Sequence, residues 1–163
     1  MKIKSFMMML VAAATVVLSV SSCGSDDDEP EVAAAAQVAG TYTGTEVVMV
    51  MGEESSNETK DYVISKASDT SVDILIPEMG MGGMMTIPAL SVKNVPLKSG
   101  DGAIAGAVTS YTGSVTNASG AEKAFTITNL LAIVSGKEIV VTFSLKYGNM
   151  PMSMETTFIG TKK

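Results

Sequence analysis

The chain has 163 residues, with seventeen carboxylates against eleven lysines and no arginine, histidine or tryptophan. That length suits one domain with a real core, and the acidic balance argues against a phosphate-neutralising surface, so nucleic acid is not an expected partner. Without histidine there is no Ser-His-Asp triad, no Cys-His pair and no imidazole metal site. Without arginine there is no bidentate clamp for phosphate or carboxylate. The sequence also lacks a P-loop, a dinucleotide fingerprint and a calcium loop. Two carboxylates could still meet for acid–base work, but no spacing singles out a pair. The expectation is a non-catalytic protein without a cofactor.

Residues 1–22 read as a signal peptide. Lys2 and Lys4 form a basic start, residues 6–20 are apolar apart from Thr15 and Ser19, and Val20, Ser21 and Ser22 are small enough for a peptidase groove. As a helix the apolar run spans about 22 Å, short of a ~30 Å hydrocarbon core. The single cysteine, Cys23, follows directly. Val20-Ser21-Ser22-Cys23 resembles the lipobox of bacterial lipoproteins, which implies acylation of Cys23 and a membrane anchor held by more than one acyl chain.

Residues 23–37 read as a tether. Asp26, Asp27, Asp28, Glu29 and Glu31 repel one another and stay solvated. An acidic run just behind a lipidated cysteine resembles the surface-export signal of Bacteroidetes lipoproteins, which implies an outer-membrane, cell-surface location. The alanine-rich residues 32–37 are long enough for one or two helical turns.

From Val38 onward the pattern is β. Strands are predicted at 40–51, 60–66, 71–76, 84–90, 91–97, 103–112, 123–134, 138–146 and 152–161, rich in Thr, Val and Ile and separated by turn residues. Alternation is plainest near the end: Ile139, Val141, Phe143 and Leu145 share one face, and Met150, Met152, Met154 and Phe158 another. Gly44 is expected to mark a bulge that switches the faces of the first strand. Pro88 and Pro96 leave the pairing of 91–97 open. Many short antiparallel strands predict a sandwich or a barrel.

Val38-Ala39-Gly40-Thr41-Tyr42-Thr43-Gly44-Thr45, the middle segment 87–97 and the closing Phe158-Ile159-Gly160-Thr161 together resemble the calycin-like domain of Bacteroidetes lipoproteins. The likeness spans about 38–163. It implies an all-β, up-and-down antiparallel barrel of about eight strands, closed by its first and last strands. Lipocalins and avidins open with Gly-x-Trp, where this chain has Tyr42, and lipocalins pack an arginine over that tryptophan. Ligand binding by analogy with them is an analogy of fold.

Nine methionines follow Cys23, in three groups: Met49 and Met51; Met79, Met81, Met84 and Met85; Met150, Met152 and Met154. Flexible thioethers fill gaps in a core poor in aromatics, and they also re-pack around varied apolar ligands. The glycine-rich stretch 79–85 would suit a lid over a barrel mouth. Tyr42, Met79, Met81, Met84, Met85, Met152 and Met154 are the candidate contacts for a small apolar ligand. Thioethers also suit Cu(I), and Met49, Met51, Met150 and Met152 would meet if the first and last strands pair. The expected partners are the membrane, through the lipid on Cys23, and either a small apolar ligand or proteins of a surface assembly. A barrel of eight strands filled by its own side chains would favour the assembly. An empty interior lined by methionines would favour the ligand.

Overall fold

A computed structural model describes residues 32–81 and 85–163. A single-helix segment, α1 (Ala34–Val38), precedes ten strands. They are β1 (Gly40–Val50), β2 (Glu53–Lys66), β3 (Ser71–Ile76), β4 (Met79–Met81), β5 (Met85–Ile87), β6 (Leu90–Gly100), β7 (Ala103–Thr116), β8 (Glu122–Ser135), β9 (Glu138–Tyr147) and β10 (Met154–Lys162). Eight of them close into an antiparallel barrel in the order β1-β10-β9-β8-β7-β6-β3-β2. The architecture is the all-β barrel expected from the sequence. β1 and β10 make the closure, from Tyr42 opposite Lys162 to Val50 opposite Met154. Among the described residues no helix is long and apolar enough to cross a membrane.

Alternation decides what enters the barrel. On β9, Ile139, Val141, Phe143, Leu145 and Tyr147 are buried while the residues between them face out. One end is closed by α1, whose Ala35 and Val38 are buried and whose Val38 carbonyl accepts a 2.8 Å hydrogen bond from the Tyr42 hydroxyl. The Lys162 ammonium donates to the Gln37 carbonyl at 2.9 Å, fixing the helix to the last strand. Four alanine-rich turns' worth of stability is not available to so short a helix, so these tertiary contacts hold it.

Three local features differ from the sequence reading. β2 begins at Glu53, well before the predicted 60, because the polar run Glu53–Asp61 pairs along β1 through a two-residue turn. Met51 and Gly52 both take positive φ there (52° and 83°), which matches the right-handed twist of the strands they join. The expected bulge at Gly44 is absent: β1 keeps its register through Gly44, and the irregularity lies between Val48 and Met49. The segment after Pro88 pairs securely, with β6 against β3 over Leu90–Pro96 and against β7 from Leu97. Pro96 sits where the β3 ladder ends, and the next amide, on Leu97, donates to the Thr70 carbonyl at 2.8 Å.

β4 and β5 form the tip of the β3–β6 hairpin. Ile76 is opposite Leu90 and Met79 opposite Ile87, so the register runs unbroken across the interruption. Pro77 and Pro88 break the ladder, and the buried face moves from the even positions (Val72, Ile74, Ile76) to Met79. The tip turns so that Met79 and Ile87 join the core, with Met81 packed against it.

Candidate functional site

The interior wall made by β2, β1 and β10 carries the chain's unusual chemistry. Gly44 of β1 lies opposite Gly160 of β10, so two facing positions have no side chain. A Cβ on Gly44 would overlap the Ile159 carbonyl oxygen and the Gly160 Cα, and one on Gly160 would strike the Phe158 ring. The bare backbone therefore admits both a close strand approach and an aromatic ring lying over it. Phe158 stacks on Tyr62 with centroids 4.0 Å apart and planes 16° from parallel, both rings fully buried.

Glu46 sits beside that stack. It is opposite Phe158 on β1 and is 1% exposed. The Tyr62 hydroxyl donates to Glu46 Oε2 at 2.6 Å, while Oε1 has no protein partner. Burial pushes the Glu46 carboxyl above its ordinary range, and the Tyr62 hydrogen bond and the Lys60 charge oppose that rise without cancelling it. Burial, reinforced by the Glu46 charge and hydrogen bond, raises Tyr62 well above the usual phenol range. Lys60 itself is ion-paired with Glu58 at 2.6 Å. Thr156, opposite Val48, is 2% exposed, and its hydroxyl also lacks a protein partner. So does the hydroxyl of buried Tyr147, at the end of β9.

These three orphaned oxygens lie on the adjacent strands β1, β10 and β9, with Glu46 at mid-strand. Thr156 lies near the start of β10 and Tyr147 at the end of β9, both at the end opposite α1. The α1 end, by contrast, is filled by Ala35, Val38, Tyr42, Val72, Val95 and Ile139, all at most 1% exposed. Buried polar atoms without partners cost about 1–3 kcal/mol each, and native proteins hold few of them. Among the described residues, three such atoms on neighbouring strands are hydrogen-bonding capacity that the protein itself leaves unused.

The sequence candidates are divided by this geometry. Met79 and Met154 are buried in the core, Met81, Met150 and Met152 are half-buried, and Met85 is exposed at 36%. All six belong to the end away from α1, where Gly80 of the tip approaches the Glu58 carboxylate and Met154 lies opposite Val50. Tyr42 does not join them: it is spent under α1, eight positions along β1 from Val50. Pairing of β1 with β10 does bring the Met49 and Met150 groups to one end. Alternation places Met49 on the outer face, and Met51 is a turn residue exposed at 80%. Met84 and Cys23 lie outside the described residues. A depression of about 480 Å³ lies at the α1 end, lined by Gln37, Asp101 and Gly136 among others and by no methionine. It is an open groove between hairpin turns, and the buried chemistry lies elsewhere.

Glu46, Tyr62 and Thr156 were not among the sequence candidates. The signal was present, since even positions of β1 from Tyr42 onward place Glu46 on the apolar face. The assumed face switch at Gly44 hid it.

The calycin-like β-barrel domain model matches residues 38–161, and the chain belongs to that family. No curated protein matches it. Among solved structures it is similar to a Bacteroides fragilis protein provisionally assigned to the outer membrane, at 23% identity and a TM-score of 0.63. The match covers 80% of this chain and 53% of that one, so this chain spans about half the length of its structural neighbour.

Proposed function

We propose that the protein is a non-catalytic lipoprotein of the outer membrane whose barrel holds a small apolar ligand bearing a hydrogen-bond donor. The observation that carries this reading is the set of partnerless buried oxygens on adjacent strands β1, β10 and β9, namely Glu46 Oε1, Thr156 Oγ1 and the Tyr147 hydroxyl, with buried Met154 on the same face of β10 as Thr156. An alcohol or amine head would donate to the Glu46 carboxylate, and the thioethers would adapt to its apolar body. A carboxylate head fits poorly. It would bring a second carboxylate into a place where burial already disfavours charge on Glu46, and Lys60, whose charge acts on Glu46, is engaged by Glu58. The methionine tip β4–β5, packed onto the core, would act as the cover.

The experiment is a titration of the detergent-solubilised full chain with a ten-carbon alcohol, amine and carboxylate, read by native mass spectrometry. One-to-one adducts with the first two are expected. A chain that takes up none would favour the second reading, a filled barrel that serves a surface assembly. Fully buried Tyr42, Tyr62, Phe158, Ile74 and Leu145 support that alternative.

The location rests on Lys2, Lys4, the apolar run 6–20 and Cys23, followed by the acidic tether. The fold neighbour from Bacteroides fragilis is consistent with it. A Cys23→Ser chain is expected to leave the membrane fraction and turn up soluble. Retention of the variant in membranes would contradict lipid anchoring at this residue.

A further inference from the structure

Barrels remove strand edges by closing, but this one closes unevenly. β7 pairs with β6 only over Ala103–Gly106, against Leu97–Gly100. Beyond Gly106, β7 continues to Thr116 paired with β8 on one side, and among the described residues no strand is paired with its other side. Thr109, Ser110, Thr112, Ser114 and Thr116 are exposed there, and Val108, Tyr111 and Val115 are only half-buried. A ten-residue run therefore offers unpaired backbone groups, the usual template for another strand.

The second long stretch without a barrel neighbour shows what protection looks like in this molecule. β2 pairs with β3 only from Val63 onward. Its earlier part carries Glu53, Glu54, Glu58, Lys60 and Asp61, the kind of charges that deter strand addition. The corresponding run of β7, Ala-Val-Thr-Ser-Tyr-Thr-Gly-Ser-Val-Thr, has no charge and no proline. A Thr- and Val-rich strand is also intrinsically suited to pairing.

We propose that residues 107–116 of β7 pair antiparallel with the same residues of a second copy of this chain. An antiparallel edge is complementary to itself about a two-fold axis, so the same surface serves both partners. The charge distribution favours this occupant. The chain carries a net charge of −6, and the uncharged run of β7 lets two acidic copies meet without opposing carboxylates on the joined strands. The neighbouring strand would also cover the flanks of Val108, Tyr111 and Val115. Ten paired residues bury less surface than the roughly 1,200 Å² of a stable complex, so the dimer is one for crowded surfaces rather than dilute solution.

Cysteine cross-linking of the full chain in producing cells tests this. Ser110→Cys, Thr112→Cys and Ser114→Cys are each exposed to a mild oxidant, with the parent chain and Asn57→Cys on the charged edge as controls. The expected result is a covalent homodimer at the position nearest the two-fold axis, falling off at its neighbours. Adding Thr109→Lys should abolish that dimer while leaving the unfolding temperature unchanged. Absence of a dimer at all three positions would overturn the proposal. So would equal yields from Asn57→Cys, or a cross-link to a different protein.

Discussion

A Gly44→Val chain is expected to unfold roughly 10 °C below the parent. The added Cβ would overlap the backbone of β10 at Ile159 and Gly160, and neither group can swing aside as a flexible side chain would. Overpacking costs about 1–3 kcal/mol or somewhat more when the neighbour is rigid, and each kcal/mol moves the midpoint of a domain this size by roughly 2–8 °C. The damage falls at the β1–β10 seam, so the closure of the barrel and the Tyr62–Phe158 stack are lost together. Thr45→Val, one residue along and facing out, is the control and should stay within about 0.5 kcal/mol of the parent. Calorimetry of both chains checks the pair. A Gly44→Val chain as stable as the control would mean that the two strands do not approach as described.

Glu46→Gln is expected to raise stability at neutral and alkaline pH and to leave it nearly unchanged in acid. The glutamine carbonyl can still accept from Tyr62, and the neutral amide is easier to bury than a carboxylate. The sign follows from the raised folded-state value of the carboxyl. Its protonated form is favoured by the fold, so its contribution is fully present below the ordinary value of 4.5 and is lost as pH rises through the higher folded value. The parent therefore weakens with rising pH at a step that the glutamine chain lacks. The gain comes from no longer burying a charge, and it should stay near about 1 kcal/mol because the new amide nitrogen takes the place of an unpartnered oxygen and needs a partner itself. Denaturant titrations from pH 4 to 8 in about one-unit steps read the difference directly. A gain that is largest at pH 4 would show that the carboxyl is not held as a buried acid.

Most of the barrel was legible because alternation and turn chemistry are local. Ile139 to Leu145 announce a half-buried strand, and Ser99-Gly100-Asp101-Gly102 announces the hairpin where Asp101 and Gly102 take positive φ. The family resemblance supplied the closure, which local pattern does not encode. The start of β2 was hidden, since Glu53 to Asp61 has neither apolar residues nor β-branched runs and is a strand only because β1 lies beside it. The tip β4–β5 was hidden for a related reason: Met, Gly and Pro carry little strand preference, and its register is inherited from β3 and β6. The interior polar wall depended on whether Gly44 was a bulge or a close contact. Both uses of glycine look alike in a sequence, and only the partner Gly160 distinguishes them.

The measurement that tests the central claim most directly is the uptake of a ten-carbon alcohol and a ten-carbon carboxylate by the parent chain and by Glu46→Ala, compared in native mass spectra. The account predicts that the parent takes up one alcohol in preference to the carboxylate and that Glu46→Ala loses this preference. Equal uptake of both molecules by the parent, or an alcohol adduct unaffected by the loss of Glu46, would contradict it.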